Sequence, residues 1–349
     1  MAMNVLLRQS FRVHDTHVLH NKDYLETVCN EQMTYFHFPL ASNRLHNFND
    51  ALTLSSNSPC TLSIVSKKTF GRYLMLRFAL IGDLHYPILE TETAAFKEAR
   101  QRFFTSFFTD FLQTSADLHV SIGDLTHHGD LNELEQAYQF LKNEPINFKH
   151  VLGNHDVYSH EKQTVQTITT QPRYSHLETD EAVLVFLDST REKKPDDWSG
   201  MIDVEQFNWL RHLLEHYQDQ RLIVFAHHPL YNTTTRSDQD KASIVSEDPV
   251  HDLLANHKTG GFYICGHTHV HSIARKKQWT YIQTAAVYDH PAIRVIEFEN
   301  GRLHTTLKAC EDEHTLENAE TVRHHVYKRE TPFDIMGATT DRTQTVVLS

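Results

Sequence analysis

The sequence predicts an α/β fold of two sheets packed face to face, with helices on the outside. Three observations predict it. From Met75 onward, short apolar strands alternate with amphipathic helices. Five of the strands stop at a polar tip that offers a carboxylate, an amide or an imidazole, usually after a glycine. In the C-terminal half strands outnumber helices, as two facing sheets require.

The first strand is the mostly apolar run Met75-Leu76-Arg77-Phe78-Ala79-Leu80-Ile81, closed by Gly82-Asp83-Leu84-His85. A helix follows over about 93–113, because Phe96, Ala99, Phe103, Phe107 and Phe111 recur at the spacing of one helical face. Leu118-His119-Val120-Ser121-Ile122 is a second strand ending at Gly123-Asp124. Leu134, Ala137, Tyr138 and Leu141 then mark a helix near 132–142. Phe148, Val151 and Leu152 form a third strand that stops at Gly153 and passes directly into Asn154-His155-Asp156. Residues 182–188 are a further strand, and Phe207, Leu210, Leu213 and Leu214 face inward from a helix over 203–217. A strand over 221–226 ends in His227-His228-Pro229. After a short helix near 250–256, Phe262-Tyr263-Ile264-Cys265 ends at Gly266-His267-Thr268-His269. Strands near 270–275, 280–285, 293–297 and 303–308 complete the strand-rich half.

Residues 1–74 read differently. They are rich in Asn, Ser, Thr and His and carry no sustained period, apart from a candidate strand at Thr61-Leu62-Ser63-Ile64-Val65. They are expected to be a weakly structured N-terminal extension, either genuine or upstream sequence read through in frame before a true translation start at Met75. Gly71-Arg72 can be encoded as GGGAGG, a ribosome-binding run at a suitable distance upstream. A peptide from residues 1–70 in protein from the native cell would contradict that expectation. The domain proper is expected over 75–310. Residues 311–349, polar and charge-mixed with a weak helix near 316–327, read as an appended tail.

The 349 residues carry a net charge of -12, which argues against a nucleic-acid-coating surface but not against a small phosphorylated substrate. Four scattered cysteines without CxxC spacing are expected to be reduced thiols of a cytoplasmic protein. No apolar run approaches the roughly 18 residues of a membrane span, and residues 1–20 lack the apolar core of a signal peptide. A homo-oligomer is compatible with the sequence.

The polar tips bring together Asp83, His85, Asp124, Asn154, His155, His227, His267 and His269. Each follows a predicted strand, so one sheet edge would gather them. A mixed imidazole, carboxylate and amide set suits Mn, Fe or Zn and is too nitrogen-rich for Ca or Mg. Two ions about 3.5–4 Å apart need a bridging carboxylate and further ligands on each side. The count closes with Asp83, His85 and His269 on one ion, Asn154, His227 and His267 on the other, and Asp124 between them. His155 is left over.

The series Asp83-x-His85, Gly123-Asp124, Gly153-Asn154-His155-Asp156, His227 and Gly266-His267-x-His269 resembles the calcineurin-like metallophosphoesterase superfamily. The resemblance covers about residues 75–308. It implies a four-layer α/β/β/α sandwich of two mixed sheets flanked by helices, and metal ligands at the positions just named. The compact chain and Gly200-Met201-Ile202-Asp203-x-x-Gln206-x-x-Trp209-Leu210 resemble the class III cyclic-nucleotide phosphodiesterase branch.

The implied chemistry is phosphate ester hydrolysis, with diesters favoured over monoesters, by a hydroxide formed between the two metals. His155 would donate a proton to the leaving oxygen. Related enzymes often carry an aspartate three residues after the bridging one, which orients that imidazole. Here the position is His127, so Asp156, Asp130 or a water is expected to take over. A purple acid phosphatase would have a tyrosine ligand there. Tyr86, His128, Tyr288 and His290 are candidates for the substrate border. The rival within enzymes is a phosphomonoesterase of nucleotides or phosphoproteins. The rival of another class is a non-catalytic scaffold, which would be expected to have lost ligands that this sequence keeps.

Overall fold

The structure, a computed structural model, describes residues 24–29, 32–36, 61–65, 75–142, 144–327 and 334–347. The chain divides into two compact units, Met1–Gly71 and Arg72–Ser349. In the first, β1 (Tyr24–Cys29), β2 (Gln32–Phe36) and β3 (Thr61–Val65) pair antiparallel in the order β2-β1-β3. The strand anticipated at 61–65 is one edge of this sheet. Strands β1 and β2 are not expected from the sequence, which shows no period there; the remaining expectations for residues 1–74 lie outside the described residues.

The second unit is built on two six-stranded sheets. One contains β4 (Leu76–Ile81), β5 (Leu118–Ser121), β6 (Phe148–His150), β13 (Ala292–Glu299), β14 (Arg302–Ala309) and β15 (Gln344–Val347), in the order β15-β14-β13-β4-β5-β6. The other contains β7 (Ser175–Glu178), β8 (Val183–Phe186), β9 (Leu222–Phe225), β10 (Gly261–Cys265), β11 (Ser272–Lys276) and β12 (Trp279–Gln283), in the order β11-β12-β10-β9-β8-β7. Strands β4, β5 and β6 run parallel, as do β8, β9, β10 and β12; β13, β14 and β15 in the first sheet and β7 and β11 in the second pair antiparallel.

Side chains alternate across a strand, and β4 shows what its continuous apolar run is for. Leu76, Phe78 and Leu80 enter the core between the sheets, with Phe186, Phe225 and Phe262 from the facing sheet. Ala79 and Ile81 point the other way, onto the phenylalanines of α1 (Ala94–Gln113). A strand covered on both faces cannot afford an alternating pattern. Thr93 caps α1 by accepting from the Phe96 amide at 3.1 Å. On the outer face of the second sheet, α4 (Val204–His216) and α5 (Val250–Ala255) cover β8, β9 and β10. The result is the expected four-layer α/β/β/α sandwich of two mixed sheets.

Two pieces between β6 and β8 escaped the sequence reading. Helix α3 (Lys162–Thr169) buries only Val165 and Thr169, and β7 is half-buried along its whole length. Neither leaves a clear apolar period. The motif around Gln206 has a local structural role. Asp203 caps α4, and the buried Gln206 amide clasps the backbone N–H and C=O of Asp188 at the end of β8.

The segment after residue 310 is built into the domain rather than appended. Helix α6 (Glu313–Tyr327) lays Ala319 and Val322 against the α1 phenylalanines, and β15 extends the first sheet along β14. Arg236 pairs with Asp334, and Arg294 donates to the Asp341 carbonyl at 3.0 Å. The segment reads as polar because its helix buries one narrow stripe and its last strand is an edge. Four-residue α7 (Thr339–Arg342) lies between them. Among the described residues no helix is long and apolar enough to cross a membrane.

Candidate metal centre

All the tips leave the carboxyl ends of parallel strands, where open sheets present their sites. Strands β4, β5 and β6 are neighbours in one sheet, and β9 and β10 are neighbours in the other. Asp83 and His85 follow β4, Asp124 follows β5, and Asn154 and His155 follow β6. His227 follows β9, while His267 and His269 follow β10. The His227 imidazole reaches across the sheets to the Ile122 carbonyl at 2.8 Å, tying the two edges together.

The backbone here is held under strain. Asp83 (φ 51), His85 (φ 48), Asp124 (φ 53), His267 (φ 73) and His269 (φ 55) all lie in the left-handed region that non-glycine residues avoid. Each such residue costs on the order of 1–3 kcal/mol and persists only where the surroundings impose it. They do so through hydrogen bonds: Asp83 N–H to Gly123 O at 3.1 Å, His85 N–H to Asp124 O at 2.8 Å, and His267 N–H to the Asp83 carboxylate at 3.0 Å. Two glycines make the crowding possible. A Cβ on Gly153 would overlap the Asp124 amide and carboxylate, and one on Gly266 would overlap Asp83.

The donors fall into two constellations. In the first, His85 Nε2 faces His269 Nε2 at 3.1 Å, and His269 Nε2 stands 3.3 Å from Asp83 Oδ1. In the second, His227 Nε2 faces His267 Nδ1 at 3.2 Å and Asn154 Oδ1 at 3.0 Å. Asp124 Oδ2 lies between them, 3.3 Å from His227 Nε2 and 3.7 Å from His85 Nε2. Asp83, His85 and His269, and likewise Asp83, Asp124 and His227, converge closely enough to hold a metal ion.

Electrostatics show how strongly this centre calls for cations. Burial lowers the affinity of His227 for a proton, yet Asp124 outweighs it and leaves the pKa raised to about 9. His269 is likewise raised to about 9 against burial, by Asp83 and Asp289. Their partners go the other way. Burial and then His227 push His267 down to about 3, and burial and then His155 push His85 well down. Protons alone thus charge one imidazole in each constellation. Fixed outer contacts set the ring orientations: His267 Nε2 lies 3.1 Å from the Lys241 carbonyl, which turns Nδ1 inward.

His155 sits beside this set, its backbone N–H donating to Asp124 Oδ1 at 2.8 Å and its ring 4.5 Å from that of His85. Its Nδ1 lies 2.5 Å from the backbone carbonyl of His127. The group that orients His155 is therefore a main-chain oxygen. Neither expected substitute serves. Asp156 is buried and accepts from Thr126 N (2.9 Å), Thr126 Oγ1 (3.0 Å) and Gly153 N (2.9 Å), which shapes the turn. Asp130 caps α2 (Leu131–Gln139). The His127 ring stacks 5.4 Å from His155 and is neutral, its pKa pushed down to about 3 by burial and then by His155 and His128.

The anticipated substrate border is corrected in part. Tyr86 is buried and donates to Gln136 at 2.9 Å, His290 pairs with His271 at 2.9 Å, and His128 pairs with Glu133 at 2.8 Å. Tyr288 is buried and donates to the His85 carbonyl. His228 is near the second constellation, but Ser189 (2.8 Å) and the Trp198 carbonyl (2.9 Å) take both ring nitrogens. Two residues that the sequence reading missed are close by. Tyr158 Oη accepts from Asn154 Nδ2 at 2.6 Å, which turns the amide oxygen toward His227. Tyr327, at the end of α6, places its ring 5.7 Å from His85 and 5.8 Å from His269. Tyr158 lies four residues beyond Asn154, a spacing that could have flagged it; nothing in sequence marks Tyr327.

Facing mixed sheets with carboxylate, imidazole and amide tips at one edge define a class, the metal-dependent phosphoester hydrolases. The chain belongs to the calcineurin-like phosphoesterase family, whose profile matches residues 76–271. A curated relative, "Probable glycerophosphodiester phosphodiesterase GpdQ" of Arcobacter nitrofigilis, is 24% identical over 162 residues, 45% of this chain and 58% of the relative. The match thus spans little more than half of that protein's length. A dimetal phosphatase from Danio rerio shares the fold with a TM-score of 0.56 at 15% identity, over 67% of this chain and 96% of that one.

Proposed function

We propose that the protein is a binuclear metal-dependent phosphodiesterase. Asp83, His85 and His269 would hold one ion, Asn154, His227 and His267 the other, and Asp124 would bridge them. The observation that carries this reading is the pair of facing imidazole nitrogens, each close to a buried carboxylate. In the metal-free site a proton bridges each pair; once it leaves, two imidazole lone pairs and a carboxylate converge on one point, the donor arrangement that a cation takes. The donor set suits Mn, Fe or Zn. Such ions supply an activated water and neutralise charge that grows on the phosphoryl oxygens.

The chain's own residues do the rest. With Nδ1 fixed on the His127 carbonyl, His155 has Nε2 as the atom that passes a proton to the leaving oxygen. Asp156 and Tyr158 keep the Gly153–His155 turn and the Asn154 amide in place. Similarity to a glycerophosphodiester phosphodiesterase supports a diester preference. The substrate in this reading is a small phosphorylated molecule met in the cytoplasm. The net charge of -12 favours that over a nucleic acid.

Hydrolysis of bis(p-nitrophenyl) phosphate beside p-nitrophenyl phosphate, with Mn²⁺ or with EDTA, tests the proposal. The expected result is turnover that favours the diester and stops in EDTA. Preference for the monoester would point to a phosphatase, and no turnover of either ester with metal bound would point to a scaffold.

A further inference from the structure

The C-terminal helix reaches the metal centre, although it lies outside the stretch that the family profile matches. Helix α6 is fastened along α1 by Ala319 and Val322 and by the Ser106–Thr315 hydroxyl contact at 2.8 Å. Its last residue, Tyr327, thereby arrives over the first constellation. The ring centroid lies 5.7 Å from His85, 5.7 Å from His127, 5.8 Å from His269 and 6.1 Å from Tyr288. Interplanar angles of 84°, 87°, 74° and 69° make every one of these contacts steep, so the phenol stands as a wall beside the proposed ligands.

We infer that Tyr327 is a substrate-binding residue, its ring bounding the site beside His85 and His269 and its O–H donating to a phosphoryl oxygen of the ester. The inference rests on the phosphoesterase reading and deepens it. The phenol O–H is a donor, as a tyrosine hydroxyl ordinarily is at neutral pH. A diester needs such a wall more than a monoester does. Its second ester group must lie against protein, and two oxygens rather than three remain to meet cations and donors.

The test compares Mn²⁺-loaded wild-type protein with Tyr327→Phe and Tyr327→Ala. Bound manganese, orthophosphate affinity by calorimetry, and kcat and KM for bis(p-nitrophenyl) phosphate are measured. All three proteins should bind the same amount of Mn²⁺. Tyr327→Phe should weaken orthophosphate binding by about tenfold and raise KM more than it lowers kcat, the scale of one hydrogen bond to a charged group. Tyr327→Ala should lose at least as much and do so more for the diester than for p-nitrophenyl phosphate. Orthophosphate affinity and KM unchanged in Tyr327→Phe would overturn the inference, whatever alanine does. If the wild type hydrolyses neither ester yet holds orthophosphate more tightly than Tyr327→Phe, the binding role stands and the hydrolase reading falls.

Discussion

Replacing Asp124 with alanine is expected to abolish turnover and strip metal from the protein. Asp124 is buried to 1% exposure, and one of its oxygens lies within 3.7 Å of both constellations. The other oxygen accepts the His155 amide at 2.8 Å, so the same side chain also positions the turn that carries His155. Without it, the proposed ions lose their shared ligand and the charge that draws them in. The loss in kcat should exceed about 10³-fold, the scale seen when one preorganised electrostatic group is removed. Asp124→Asn separates shape from charge. It can still accept from the His155 amide, and it should be nearly as inactive as alanine. Turnover within about tenfold of wild type, with full metal content in Asp124→Ala, would remove the bridge from the account.

Replacing His155 with alanine is expected to do the opposite to the metals and nearly the same to hard substrates. His155 is not among the proposed ligands, so metal content should stay at the wild-type level. Esters with poor leaving groups should slow by about 10²–10⁴-fold, the usual worth of a positioned general acid. Activated nitrophenyl esters, whose leaving oxygens need little protonation, should slow much less. Equal slowing of both would contradict the proton-donor role. His127→Ala is the control. The carbonyl that orients His155 belongs to the backbone and survives the substitution. That variant should keep turnover within about tenfold of wild type, on the scale of a lost outer contact.

Much of this was legible because the physics writes it into local pattern. A strand buried on both faces, such as β4, reads as a nearly continuous apolar run, interrupted here only by Arg77. A helix covering a sheet, such as α1, must repeat its phenylalanines with the helical period. Polar residues that stop an apolar strand at a glycine are placed by topology alone, and the structure brings all eight of the named residues together. Five come from the strand ends of one sheet and three from those of the facing sheet, rather than from a single sheet edge. What escaped has no such signature. Helix α3 and strand β7 bury too little to impose a period. The tail reads as appended because α6 and β15 each hide only a narrow stripe. The orienting partner of His155 is a carbonyl, which every residue has and no letter announces. Tyr327 comes to the centre only through the packing of α6 on α1, a tertiary fact.

The central claim is that two cations share Asp124, and titrating metal-stripped protein with Mn²⁺ tests it most directly. Calorimetry with proton release followed, and turnover measured at each addition, would give both stoichiometry and linkage. The account predicts about two equivalents per chain, with activity completed by the second. It also predicts proton release on binding below about pH 9. His227 in one constellation and His269 in the other have pKa values near 9 and must give up a proton to become ligands. Affinity for each ion should therefore weaken by about tenfold per pH unit as pH falls from about 9 toward neutrality. Uptake of a single equivalent, or binding of two with no proton release and no dependence on pH, would contradict the account.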